Sequence, residues 1–304
     1  MEQKQTQVYR INDGTANPPR LEIQQSWWGM ERLGDGTREW SDEEKLEKIA
    51  EAGFAGILGR LPEPSEQERW KRQLDAYRFS FGIHSFPSSR EELAPLLRQA
   101  KEFGVQYVNS QVMDSFVVDE AAIALLDALT QEAADAGLPY LVETHRGRVT
   151  QDLHRTVSYV RALPAVRLTI DLSHYAVAGE LVGESLLRKA EPLFDVLLQR
   201  TAAIHGRVSN GEQVQIDIGQ DGQHELVEHY LRWWSRGMAY WLKDAQPGDV
   251  LPFVSELGPP GYAITERTSA QGTREISDRW QQALVFKRLA EEAWRRAQAL
   301  VLNG

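Results

Sequence analysis

Four segments end an apolar run on a group able to ionise or to ligate. Tyr140-Leu141-Val142 leads to Glu143, Leu168-Thr169-Ile170 to Asp171, Ala202-Ala203-Ile204 to His205, and Phe253-Val254-Ser255 to Glu256. Burying any one of these charges alone costs several kcal/mol, and a shared divalent cation offsets that cost. The chain has no cysteine, so thiolate metal sites, thiolate nucleophiles and disulfides are excluded, and any metal sits on His, Asp and Glu. Three carboxylates and one imidazole suit one ion of Mn2+, Mg2+, Co2+ or Zn2+, the oxygen-rich set leaning away from a structural zinc. Singly, each residue also has an ordinary reading. Glu143 can pair with Arg146 or Arg148, Asp171 can cap a turn, His205 can be a satisfied interior histidine, and Glu256 can pair with Arg267. Four such groups at corresponding ends of four successive strands point to one place.

The elements that must position them alternate along the chain. Strands are predicted at Leu21–Trp27, Phe54–Leu58, Ser80–His84, Tyr107–Gln111, Tyr140–Thr144, Arg167–Asp171, Ala203–Val208 and Pro252–Glu256. Between them, apolar residues recur at helical spacing, as in Ala122, Leu126, Leu129, Ala133, Ala136 and in Ala283, Phe286, Ala290, Ala293, Ala297, Leu300. Ser41 with Glu44 and Ser89 with Glu92 read as capping boxes. Gly53, Gly104 and Gly137 read as C-terminal caps directly before strands, so helix-to-strand turns are short. Strand-to-helix connections are long at Trp28–Trp40, Gly206–Gln223 and Leu257–Ser277. Eight βα units with short loops on one face and long loops on the other predict an α/β fold, a single-domain (β/α)8 TIM barrel over 21–304 with a polar N-terminal arm over 1–20. A doubly wound sheet is disfavoured, because Gly29, Gly34 and Gly36 lack dinucleotide-binding spacing.

Composition bounds the partners. Of 304 residues, 42% are hydrophobic, enough for a sizeable core, and 34 basic against 44 acidic side chains leave a net charge of −10. That field repels phosphate backbones and anionic membranes, so neither nucleic acid nor membrane is expected as a partner. The polar N-terminus and the lack of any long apolar run predict a cytoplasmic protein. The oligomeric state is open, a homo-oligomer included.

Val142-Glu143-Thr144-His145, Asp171-Leu172-Ser173-His174, His205-Gly206-Arg207 and Ser255-Glu256 resemble the metal-site motifs of the xylose isomerase-like TIM-barrel superfamily, of the sugar phosphate isomerase/epimerase type. The resemblance covers essentially the whole chain. It implies that Glu143, Asp171, His205 and Glu256 bind one divalent metal, and that His174 and Arg207 contact substrate oxygens. His84 closes the third strand and His145 follows Glu143 by two, so both are candidates for the same pocket. One of Trp27 and Trp28 is expected as an aromatic wall and the other in the core, with Trp28 carried as the substrate-binding candidate. His154, His224 and His229 are expected toward solvent, and Trp233, Trp234 and Trp241 in packing.

The chemistry so implied is proton abstraction beside a carbonyl of a small carbohydrate substrate, with Glu143 and Glu256 as catalytic bases from opposite faces and an enediolate stabilised by the metal. Return of the proton to the same carbon is epimerisation, and to its neighbour isomerisation. The alternative is metal-dependent lyase or hydratase chemistry on 3-keto-glycosides, for which His145 is the better base. A DNA-repair endonuclease is less favoured, because Asn109-Ser110-Gln111 and Asp217-Ile218-Gly219 stand where such enzymes carry further histidines. A non-catalytic sugar-binding barrel is the remaining reading. No cluster of Ser, Gly and Lys marks a phosphate site.

Overall fold

The computed structural model describes residues 8–268 and 272–303. Eight parallel strands close into a barrel in sequence order, each hydrogen-bonded to the next and the eighth to the first. They are β1 (Arg20–Ser26), β2 (Gly56–Gly59), β3 (Ser80–Ser85), β4 (Tyr107–Ser110), β5 (Tyr140–Glu143), β6 (Leu168–Ile170), β7 (Thr201–Gly206) and β8 (Val250–Ser255). The expected boundaries differ from these by at most two residues, the usual uncertainty where pairing frays.

The helices around the barrel are α1 (Asp42–Glu51), α2 (Gln67–Tyr77), α3 (Arg90–Phe103), α4 (Asp119–Ala136), α5 (Leu153–Ala162), α6 (Leu172–Ala178), α7 (Glu184–Leu198), α8 (Val227–Lys243) and α9 (Arg279–Leu302). Ser41 and Glu44 form the reciprocal box at α1. At α3 the box is half formed: Ser89 accepts from the Glu92 amide, whereas the Glu92 carboxylate turns to the amide and hydroxyl of Ser88. Gly104 and Gly137 take the left-handed conformation that ends α3 and α4, which a side chain would disfavour. The apolar stripes of α4 and α9 are buried as expected except at Ala136, which is half-buried, and at Leu300, which is half exposed.

Two elements were not foreseen. The connection from β6 to β7 carries two helices, α6 and α7. The connection from β8 to α9 contains an antiparallel hairpin of β9 (Thr265–Thr268) and β10 (Gly272–Glu275). Its sequence is polar and charged and none of its described side chains is buried, so no apolar alternation announces it. Residues 8–19 lie beneath the barrel, with Ile11 buried and the Arg10 guanidinium and Asn12 amide both on Asp249. Among the described residues no helix is long and apolar enough to cross a membrane.

Side-chain parity decides what fills the barrel. Ile23, Ile57, Ile83, Val108, Val142, Leu168, Ile204 and Phe253 face the helices in the main core. Their neighbours Leu58, Tyr107, Leu141, Ala203 and Val254 form a separate interior cluster. Two residues further along each of β4, β5, β7 and β8, on the same face, come Asn109, Glu143, His205 and Glu256. A register shift between β6 and β7 pairs Thr169 with Ala203, so that Asp171 and His205 emerge at one level.

Gly82 shows how tightly this interior is filled. A Cβ there would lie 2.5 Å from the Tyr107 ring, which is held by a 2.8 Å hydrogen bond from its hydroxyl to Gln24 Oε1. Gly82→Ala is expected to cost about 1–3 kcal/mol through overpacking, read as a lower urea midpoint at unchanged slope.

Candidate active site

The four strand-end residues meet at the C-terminal mouth of the barrel. Each is at most 2% exposed, and each offers a ligand atom within 4.8 Å of the other three. Glu143 does not pair with Arg146 or Arg148. Its Oε2 accepts from Asn109 Nδ2 at 2.6 Å and Gln111 Nε2 at 3.1 Å, leaving Oε1 without a partner. Asp171 does cap a helix, but with one oxygen only: Oδ1 accepts from the Ser173 amide at 3.0 Å and hydroxyl at 2.5 Å, which aims Oδ2 into the cluster. Glu256 forms no ion pair with Arg267 and meets Arg207 instead. His205 Nδ1 lies 2.9 Å from Glu256 Oε2, out of hydrogen-bond alignment, and 3.7 Å from Glu143 Oε1.

Arg207 is the principal surprise. Its guanidinium, 1% exposed, lies across the cluster with Nη2 3.1 Å from Asp171 Oδ2 and in contact with Glu256 Oε2. The Cα–Cβ direction two residues beyond His205 brings it over the same mouth, but its use as a carboxylate bridge is a tertiary fact. Three buried carboxylates and one guanidinium leave two negative charges. Burial alone would lower the His205 imidazole, but Glu256 and Glu143 overcome this and raise it to about 10. Burial pushes Asp171 up to about 6 despite Arg207. Glu143 is held well below the usual carboxylate range, its burial outweighed by His205.

Do these residues fit a divalent ion? The donor set is hard and mostly oxygen, the geometry is convergent, and Glu143 Oε1, Asp171 Oδ2 and both His205 nitrogens have no hydrogen-bond partner. Two positive charges also match the residual negative charge. The set fits, and Glu143, Asp171, His205 and Glu256 are the residues able to hold the ion.

Above the cluster opens a cavity of about 480 Å3, within the range of small-ligand sites. Glu256, Arg207, His84, Gln111 and His145 form its floor; Trp27, Trp28, Trp70, Phe86 and Tyr262 are aromatic walls. Both tryptophans therefore face the cavity, Trp27 while also packing edge-on against Trp70 and Trp28 edge-on against Tyr262. His84 Nε2 is 3.6 Å from Glu256 Oε1. His145 lies just past the end of β5 and still reaches the cavity, its Nε2 3.4 Å from the Tyr262 hydroxyl. The expectation for His174 needs correction: it is fully buried beneath His145, ring centroids 3.8 Å apart, and does not line the cavity. The first turn of α6 carries it behind the mouth. His154 is exposed and His224 and His229 half-buried, while Trp233, Trp234 and Trp241 are core.

Comparison with solved structures now bears on the geometry. A xylose isomerase-like TIM barrel protein from Mycobacterium smegmatis, in complex with magnesium, aligns over 95% of this chain and 100% of its own at 12% identity and TM-score 0.55. An L-ribulose 3-epimerase aligns over 93% and 98% at 12% identity and TM-score 0.57. D-allulose 3-epimerase from Methylomonas sp., in complex with D-allulose, aligns over 95% and 99% at 14% identity and TM-score 0.51. The chain shares the (β/α)8-barrel fold of these proteins. No protein-family model and no curated protein matches it.

The sequence does not mark Tyr262, Asn109 or Gln111 as site residues. Asn109 and Gln111 stand at the end of the fourth strand, the same signal that marked the four ligands, but amides do not announce chemistry. Tyr262 lies in an irregular loop and carries no signal at all.

Titration of Mn2+ into ion-free protein is expected to raise stability by about 2.7 kcal/mol at a free ion concentration one hundred times Kd. Asp171→Asn, which preserves the α6 cap, should abolish most of that rise in thermal melting while leaving the circular dichroism unchanged.

Proposed function

We propose that the protein is a metal-dependent isomerase or epimerase of a sugar or short hydroxy-ketone. The observation that carries this reading is Glu256: a carboxylate of the buried ligand set that also lines the floor of a sugar-sized, aromatic-walled cavity. The epimerase neighbours support the reading at the level of fold.

Glu143, Asp171, His205 and Glu256 would hold the ion, which when bound supplies Lewis-acid polarisation of a carbonyl and stabilises negative charge developing on its oxygen. The chain's own residues supply the rest. Glu256 removes the proton from the carbon beside the carbonyl. Glu143 is the second carboxylate, and the Asn109 and Gln111 amides on its Oε2 fix its orientation. Delivery of a proton to the opposite face of the same carbon inverts it; delivery to the adjacent carbon exchanges aldose and ketose. Arg207 holds Glu256 in place and presents donors to substrate oxygens, and the walls of Trp27, Trp28 and Tyr262 exclude water and pack against the C–H faces of a sugar ring.

His145 supports a second reading. Burial lowers its imidazole below the ordinary histidine value, so it is a neutral base on the cavity floor outside the four-residue set. In that case it would take the proton in β-elimination from a 3-keto-glycoside.

In heavy water with Mn2+, deuterium is expected to enter recovered or isomerised ketose. Glu256→Gln should lower that rate by about 10²–10⁴-fold while Mn2+-dependent melting persists in part. Aglycone release from a 3-keto-glycoside, lost in His145→Gln, would favour elimination; absence of both reactions, with cleavage of abasic DNA, would sink both readings.

A further inference from the structure

The cavity changes character from floor to mouth. Its floor reaches the buried acidic cluster through Glu256; its rim carries guanidinium groups that have no acid. Arg60 directly follows β2, Arg148 lies between β5 and α5, and Phe86 directly follows β3, so three separate loops bring them together. The Arg60 and Arg148 guanidinium carbons lie over the Phe86 ring, 5.5 and 5.4 Å from its centroid. All three residues line the cavity. Phe86 is 45% exposed and Arg60 exposed, against 2% for Glu256, which places the arginines at the open end.

Neither arginine forms an ion pair among the described residues. Arg148 donates once, from Nη1 to the Met113 carbonyl at 3.2 Å. Arg146 on the same loop is likewise without an ion pair and lies over Tyr262. In a chain with ten more acids than bases, unpaired guanidiniums gathered at one rim are notable against arginines such as Arg236 and Arg279, which sit on carboxylates. The acids nearest in the cavity lining do not neutralise them: Glu256 is engaged by Arg207 and His205, and Glu31 comes from the β1 side without contacting either. The Phe86 ring attracts both guanidiniums without accepting a conventional hydrogen bond, so apart from the Arg148 Nη1 donation to Met113 their N–H groups stay available. Such edges match the paired oxygens of a phosphate ester or a carboxylate.

We propose that the substrate carries an anionic group, a phosphate ester or a carboxylate, bound by Arg60 and Arg148 at the mouth while its carbonyl end reaches Glu256. This refines the isomerase and epimerase reading, on which it rests for the carbonyl end, and uses residues outside the ligand cluster. It also explains why composition was silent: the anion site is built from arginines on different loops, not from a contiguous Ser, Gly and Lys motif.

The test measures affinities of the full chain with Mn2+ for D-fructose, D-fructose 6-phosphate and D-fructuronate at low and moderate salt. At least one anionic ligand should bind about tenfold or more tightly than the neutral ketose, with the preference shrinking as salt rises; which of the two wins identifies the anion. In the Arg60→Gln, Arg148→Gln double variant that preference ratio should fall by about tenfold, and the corresponding lysine variant should recover part of it. Retained Mn2+-dependent melting shows that the variants are folded with an intact floor. Equal affinity for charged and neutral ligands, survival of the preference in the double variant, or tighter binding of an abasic oligonucleotide overturns the proposal. Anion-selective binding without deuterium exchange into any ligand removes the isomerase reading and leaves the anion site standing; exchange without anion preference does the reverse.

Discussion

Three carboxylates buried on the axis of one barrel are the constraint on which the structure turns. Glu143, Asp171 and Glu256 lie within a few ångströms of one another with almost no access to water. Unscreened, they repel strongly. Arg207, the His205 imidazole and the amides of Asn109 and Gln111 together offset the repulsion, and with His205 neutral the four-residue set is suited to a divalent cation. A closed barrel makes the arrangement feasible, because strand ends converge there at fixed positions and the backbone hydrogen bonds are already satisfied by neighbouring strands.

Below the cluster the barrel is filled so that the cluster cannot sag. Tyr107, Leu141, Thr169, Ala203 and Val254 occupy the layer beneath, and Gly82 is small because Tyr107 is large. Further down, Gln24 Nε2 bonds Glu22, Ser80 and Gln106 in a polar layer over the Ile11 plug. The β6–β7 register shift has its purpose here as well: one residue of slippage would turn Asp171 away from the axis. Rigid strands thus carry the groups that need sub-ångström placement, and loops carry the walls and the rim.

This division gives the cavity a polarity of its own. An acidic floor suits a cation and carbonyl chemistry, aromatic walls suit the faces of a sugar ring, and an arginine rim suits an anion. The net charge of −10 describes none of these places. A global field repels polyanions at a distance, whereas two braced guanidiniums act on a single charged group within hydrogen-bonding reach.

The sequence by itself determined the barrel and the four strand-end residues. Strand alternation, glycine caps and loop lengths are local consequences of backbone geometry, and the period of two tells which residue leaves a strand on the inner face. Local signals also sufficed for α1 and the stripe of α4. They failed for β9 and β10, none of whose described side chains is buried to impose a pattern, and for Leu300, whose helical phase is right but which stays half exposed on the last turn of α9. Tertiary structure alone decided who meets whom. Arg207 bridges Asp171 and Glu256, Glu143 rests on two amides, His174 is covered by His145, and Arg60 and Arg148 share Phe86. Each of these depends on strand tilt, register and loop path over separations of tens to hundreds of residues. Packing and electrostatic compensation choose such partners, and no local propensity encodes them.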